Sequence, residues 1–332
     1  MKFLIVGFGS IGQRHFRNLL TLGHDDIVLL RSHESTLEDD EIKAFPVETN
    51  LEAALAHEPD AVIISNPTAL HLDVAIPAAK AGCHILLEKP ISHNMERVDE
   101  FKEAVRKSGS RVLVGFQFRF HPGLRRIKRL LAQKTIGIPL SVRAHWGEYL
   151  PDWHPWEDYK ESYSARPDLG GGVILTLSHP VDYLRWLLGE IESVWASLGY
   201  NSDLEINEVE DTAEIGLQFT NGVIGSLHLN YIQRPSSHWL EIIGSEGTIR
   251  WNAEIGSVKH YDIKNETWDE FSLRTDFERN DLFLSEMKHF IAVALGQFMP
   301  ICSLEDGIRI QEIVQGAKLS AQSGQLTSIV EH

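Results

Sequence analysis

The stretch Gly7-Phe8-Gly9-Ser10-Ile11-Gly12 constrains this chain more than any other. It sets a G-x-G-x-x-G between a short apolar run, Phe3 to Val6, and a helical pattern, Ile11 to Leu22. Each glycine has its own task in such a turn. Gly7 permits the tight bend, Gly9 lets backbone approach a pyrophosphate, and Gly12 lets the helix pack closely, while the helix N-terminus attracts phosphate. Dinucleotide binding is the expectation, with Phe8, Ser10 and Ile11 of the same turn at the cofactor. An NAD-binding unit of this kind carries an acidic side chain about 20 residues on, where it meets the ribose. This chain has Arg31-Ser32-His33 there. A carboxylate would repel a 2′-phosphate and an arginine would hold it, so NADP is expected in preference and NAD as the second choice. The plainer reading of those three residues is a solvated surface loop.

The rhythm that follows supports the same fold. Ile27 to Leu30, Ala61 to Ser65, His84 to Leu87 and Arg111 to Phe116 read as strands. Between them lie helical patterns at Leu51 to Ala56, His71 to Ala81 and around Val98, Phe101 and Val105. Thr49-x-x-Glu52 looks like a capping box for the first of these helices. Pro77 should kink the second and Gly82 should end it. Alternating strands and helices predict a parallel, doubly wound α/β sheet over residues 1–120. Residues 121–332 form the second expected domain. It has a helix from Gly123 to Leu131, then a Trp-, Tyr- and Pro-rich irregular tract from Trp146 to Pro167. Strand-like runs follow at Val194 to Tyr200, Thr212 to Phe219, Val223 to Tyr231, Trp239 to Ile243 and Thr248 to Trp251, and two helices close the chain. Long irregular tracts inside compact domains are often functional.

Composition narrows the partners. A net charge of -16 from 31 Lys+Arg and 47 Asp+Glu argues against nucleic acid and anionic membrane surfaces. No apolar run reaches the roughly 18 residues of a membrane span, and no signal-peptide pattern follows Met1. Two distant cysteines, Cys83 and Cys302, suggest neither disulfide nor metal site. A cytoplasmic protein without a metal is expected.

Glu88-Lys89-Pro90 follows the strand His84 to Leu87, at the carboxyl edge where doubly wound folds bind ligands. A lysine there is ordinarily a solvated group. In a partly dry cleft beside a cationic nicotinamide it becomes a proton acceptor or donor for a hydroxyl.

Taken with the glycine turn, the segment Asn66-Pro67-Thr68-x-x-His71 and Glu88-Lys89-Pro90 resemble the Gfo/Idh/MocA oxidoreductase family. The resemblance extends through Gln117-Phe118-Arg119-Phe120-His121-Pro122 and through Gly170-Gly171-Gly172 followed by His179 and Asp182. It implies an N-terminal Rossmann domain and a C-terminal α+β domain built on an open, mostly antiparallel sheet that serves oligomerisation. Asn66, Pro67, Thr68, His71, Glu88, Lys89 and Gln117 would then meet the cofactor, with Lys89 and His179 as the proton-transfer pair. One departure limits the transfer: an aspartate common four residues after the triplet is Thr176 here, and His179 follows after three. With positions 176, 179 and 183 stacked on one helical face, Asp182 lies beside them and takes a supporting or substrate-holding role.

His154, Tyr163 and Arg166, in the aromatic tract, and Arg119 are the remaining substrate candidates. Aromatic faces with polar tips suit a hydroxylated ring, and the arginines suit an acidic group. Packing is the plain alternative for the aromatics. The expected reaction is hydride transfer between nicotinamide and a secondary alcohol of a sugar, cyclitol or sugar acid. Two alternatives stand beside it: a cofactor-recycling elimination or glycosidic cleavage, and a non-catalytic NAD(P) sensor.

Overall fold

A computed structural model describes residues 1–31, 40–200, 202–206 and 208–329. They fall into two compact units. The first holds Met1–Gln117, Asp168–Gly170 and Glu278–Gln311, and the second holds Phe118–Pro167, Gly171–Phe277 and Glu312–His332.

The chain opens with β1 (Phe3–Val6), α1 (Ser10–Thr21), β2 (Ile27–Leu30), β3 (Val47–Glu48), α2 (Leu51–Leu55), β4 (Ala61–Ile64), α3 (His71–Lys80), β5 (His84–Glu88), α4 (Val98–Ser108) and β6 (Val112–Gly115). The six strands are all parallel in the order β3-β2-β1-β4-β5-β6. Strand order reverses between β1 and β4, and a crevice opens at the carboxyl ends of such a pair. β1, β4 and β6 are buried at every position, which is why they read as unbroken apolar runs rather than alternating ones. β3 is two residues long and leaves no pattern in the sequence. The cap of α2 is Asn50, not Thr49: its Oδ1 accepts from the backbone N–H of Glu52 and Ala53 at 2.8 and 3.3 Å. α3 runs on through Pro77 and ends at Gly82 (φ +83°). There the Gly82 and Cys83 N–H groups return to the carbonyls of Ala79 and Ala78, so left-handed glycine geometry satisfies the last carbonyls.

From Phe118 the elements are α5 (Pro122–Ala132), β7 (Pro139–Tyr149), α6 (Val173–Thr176), α7 (His179–Leu188), β8 (Ile191–Gly199), β9 (Thr212–Phe219), β10 (Ile224–Asn230), β11 (Ile232–Gly244), β12 (Gly247–Asn252), β13 (Ser257–Asp262) and β14 (Thr267–Ser272). α8 (Asn280–Ala294), α9 (Leu304–Ser323) and β15 (Thr327–Ser328) close the chain. The nine-stranded sheet runs β14-β13-β12-β11-β7-β10-β9-β8-β15. β10 and β7 are parallel and the other neighbours antiparallel, so the sheet is mixed and mostly antiparallel.

Three sequence expectations change here. The irregular tract starts four residues late, because Trp146 belongs to β7, where buried Val142, Ala144 and Trp146 alternate with outward Arg143 and His145. The helix after the glycine triplet is two helices. Pro180 in the first turn of α7 has no N–H to continue a preceding helix, so Thr176 and His179 do not stack on one helical face. A single division at residue 120 also fails for α8, which packs on α1, β5 and β6 within the first unit.

Candidate active site

The glycine turn is built as its spacing requires. Gly7 takes φ +85°, and a Cβ there would come 2.6 Å from the Asn66 backbone nitrogen. A Cβ on Gly12 would overlap the Gly7 carbonyl oxygen, so α1 lies directly on the turn. Gly9, the residue before α1, has nothing within 4 Å of its Cβ position. Its lack of a side chain serves no internal packing and leaves backbone open to an incoming group. Ser65 Oγ, 3.0 Å from the carbonyl oxygens of both Val6 and Gly7, ties the turn to the end of β4. Ser10 is exposed and Ile11 half-buried. Phe8 differs from expectation: its ring turns inward, 5% exposed and edge-on to Phe16 at 5.6 Å, so only its backbone faces the turn.

Arg31 directly follows β2 as a buried residue, its guanidinium 5.9 Å from the Phe8 ring centroid. Ser32 and His33, expected beside it at the adenosine, lie outside the described residues.

Around Lys89 the chain is held on both sides. The preceding side chain, Glu88, accepts from His15 Nε2 at 2.7 Å. The following carbonyl, of Pro90, lies 2.8 Å from His71 Nδ1, and His71 Nε2 lies 3.0 Å from the Asn66 carbonyl. His71 therefore clamps the turn Asn66-Pro67-Thr68 to the segment after β5. Burial pushes this imidazole down to about 4 against the pull of both carbonyls, so near neutral pH the ring is neutral and its single N–H donates to one of the two carbonyls at a time. Asn66 Oδ1 and Gln117 Oε1 have no hydrogen-bond partner among the described residues, although Gln117 is only 4% exposed. Buried amide oxygens of this kind need a donor, which an amide or hydroxyl of a bound dinucleotide would supply. The open Gly9 and these oxygens fit a dinucleotide.

In the second unit, His179 opens α7 and is 3% exposed, with its ring edge-on to Phe118 at 5.0 Å and 5.7 Å from Trp146. Asp182, one turn on, is fully buried and forms an ion pair with Arg119, whose Nε lies 3.0 and 3.1 Å from its two carboxylate oxygens and whose Nη2 lies 2.6 Å from Oδ1. These two substrate candidates are partners of each other. Of the tract residues, His154 and Tyr163 are half-buried, and Arg166 Nη1 stands 3.8 Å from Glu161 Oε2. His238 was missed: it lies parallel to Trp146 at 4.4 Å and within 3.1 Å of Tyr183 Oη. The strand run read from Trp239 began one residue too late to include it. His15 and Glu286 were also missed. Glu286 stands three residues after Phe283 and four before Phe290, inward positions of an apolar helix face, and that mismatch was legible.

A parallel unit in the 3-2-1-4-5-6 order, with this glycine turn and a lysine at the β5 end, defines a nicotinamide-dinucleotide-binding oxidoreductase. Comparison with known proteins agrees. Residues 1–116 match the oxidoreductase family model for an NAD-binding Rossmann fold, and residues 124–250 match the GFO/IDH/MocA C-terminal domain. The chain belongs to the Gfo/Idh/MocA oxidoreductase family. An uncharacterized oxidoreductase of Synechocystis is 34% identical over 60% of this chain and 57% of its own length. Myo-inositol 2-dehydrogenase of Thermotoga maritima is 28% identical over 100% of this chain and 99% of its own. A solved levoglucosan dehydrogenase, in complex with NADH and levoglucosan, superposes with a TM-score of 0.88 at 20% identity, covering 100% of both chains.

Proposed function

We propose that the protein transfers a hydride between NADP and a secondary alcohol of a sugar, cyclitol or sugar acid. The observation that carries this reading is the position of Lys89, directly after β5 and pinned by His15–Glu88 before it and His71–Pro90 after it. Nicotinamide, when bound, supplies the hydride donor or acceptor. Lys89 Nζ takes the hydroxyl proton as the alcohol is oxidised and returns it in the reverse direction. His179 is the second proton-transfer group, and the Asp182–Arg119 pair positions α7, which carries it. Gly7, Gly9, Ser10 and Gly12 hold the pyrophosphate, with Asn66 and Gln117 supplying acceptors. His154, Tyr163 and Arg166 are proposed to meet the substrate. A hydroxylated ring is favoured by the relative named for myo-inositol, which spans the whole chain. NADP is favoured because Arg31, rather than a carboxylate, directly follows β2.

The test is an absorbance screen of sugars, cyclitols and sugar acids with each cofactor. Turnover with at least one polyol, and a kcat/KM for NADP at least tenfold that for NAD, is expected. Arg31→Ala should cut that preference about tenfold, the worth of one charge-assisted hydrogen bond. A wild-type preference for NAD would overturn the cofactor assignment.

A homo-oligomer is proposed through one face of the nine-stranded sheet, which exposes Trp195, Ile224, Ile243 and Trp268 in matching register. The face is mixed, with Arg143, Glu241, Arg250 and Lys259 set among these apolar side chains, as contacts between copies commonly are. Light scattering should give a dimer or tetramer that Ile224→Glu weakens, and a monomeric wild type would refute it.

A further inference from the structure

Helix α8 carries a carboxylic acid where an apolar residue belongs. Phe283, Met287 and Phe290 face the interior of the first unit, and Glu286 shares that face with 0% exposure. Neither of its carboxyl oxygens has a hydrogen-bond partner among the described residues. One ligand atom each from Glu286, His15 and Glu88 lie within 4.8 Å of one another. Two carboxylates this close in a dry interior do not both ionise, because burial and mutual repulsion act together. Something positive must reside there, either a proton or a metal ion. The proton is favoured. His15 and Glu88 are already closed on each other at 2.7 Å, and three protein ligands, two of them (His15 and Glu286) fully buried, fall short of the four that zinc takes.

We propose that Glu286 is a neutral carboxylic acid which, with His15, acts as a positioning residue for Glu88 and so fixes the segment carrying Lys89. The inference rests on Lys89 as the proton-transfer group. The titratable groups set against Glu286 are His15 from α1 and Glu88 from β5, and Arg14 of α1 acts on Glu88. Arg14 Cζ stands 4.8 Å from the Phe283 ring, and Lys89 and His71 act on Glu88 electrostatically. Burial, and after it the charge of Glu88, hold Glu286 well above the ordinary carboxylate range. Glu88 is shifted the other way: against a burial that disfavours its charge, the hydrogen bond and charge of His15 keep it below that range. The two carboxyls thus divide the roles, one ionised beside His15 and one protonated behind it.

The test compares Glu286→Ala with Glu286→Gln in the full chain, reading kcat, NADPH affinity by fluorescence, and Tm from pH 5 to pH 9. Glu286→Ala should lower kcat about tenfold with NADPH affinity within about twofold, and Glu286→Gln should restore kcat. A carboxyl whose folded value is raised loses stability as pH climbs above its unfolded value, and glutamine does not. The Tm of Glu286→Gln should therefore exceed that of wild type by a margin that widens from pH 5 to pH 9. A Gln variant that is less stable across the range, or that fails to restore kcat, would overturn the proposal. So would stoichiometric zinc in the purified wild type that Glu286→Gln loses. The Tm comparison reads the proton on Glu286 independently of turnover, so it stands apart from any failure of Lys89.

Discussion

Lys89 sits in a backbone that cannot drift, since the residues on either side are tied to α1 and α3 through His15 and His71. Its substitution therefore removes the proposed proton-transfer group without moving the glycine turn. Lys89→Met should lower kcat at least 100-fold while NADPH affinity stays within about threefold, read by stopped-flow turnover and fluorescence titration. Wild-type turnover in that variant would end the assignment. Residues in this part of the site were legible because short motifs fix them: three glycines in one turn, and a lysine one residue past a strand. Arg119 and Asp182 were not legible as partners. Sixty-three residues separate them, and charge and spacing alone make each look available to a ligand. The pairing of Glu88 with His15 was hidden for a similar reason, since 73 residues separate them.

Elements with an unbroken pattern were read well, and those that depend on partners were not. β1, β2, β4, β5 and β6 announce themselves as apolar runs. β3 exists only through its pairing with β2, and β7 was hidden because the aromatics at its end resembled the loop that follows. α7 starts where Pro180 forbids continuation of α6, a break that a reading by helical spacing passes over. The element most sensitive to a single change is α1, which lies on Gly7 through Gly12. Gly12→Val should push α1 off the turn. Dinucleotide affinity should fall at least tenfold by titration, and Tm should drop, since a branched side chain against backbone typically costs about 1–3 kcal/mol or more. Retained NADPH affinity would show that the turn does not hold the phosphates.

The whole molecule keeps several histidines uncharged inside it. Burial pushes both His71 and His121 down to about 4, and holds His238 well below its ordinary value. Because these values are depressed, the unfolded chain binds more protons than the folded one below about pH 6.5. Stability is full above that pH and is lost toward pH 4, by up to about 1.4 kcal/mol per pH unit for each such histidine. Thermal melts should show Tm falling steadily from pH 7 to pH 5, and a flat profile would mean that these rings find partners when charged. Among the described residues no helix is long and apolar enough to cross a membrane.

The return of α8 to the first unit has a temporal meaning. A ribosome completes β6 and releases an apparently whole nucleotide-binding sheet, yet the side of α1, β5 and β6 that α8 covers stays bare for well over a hundred further residues. Glu88 emerges almost two hundred residues before Glu286. The nascent sheet must wait with an apolar flank exposed, and a fragment cut at residue 117 would remain in that waiting state indefinitely, open to proteases and to other chains.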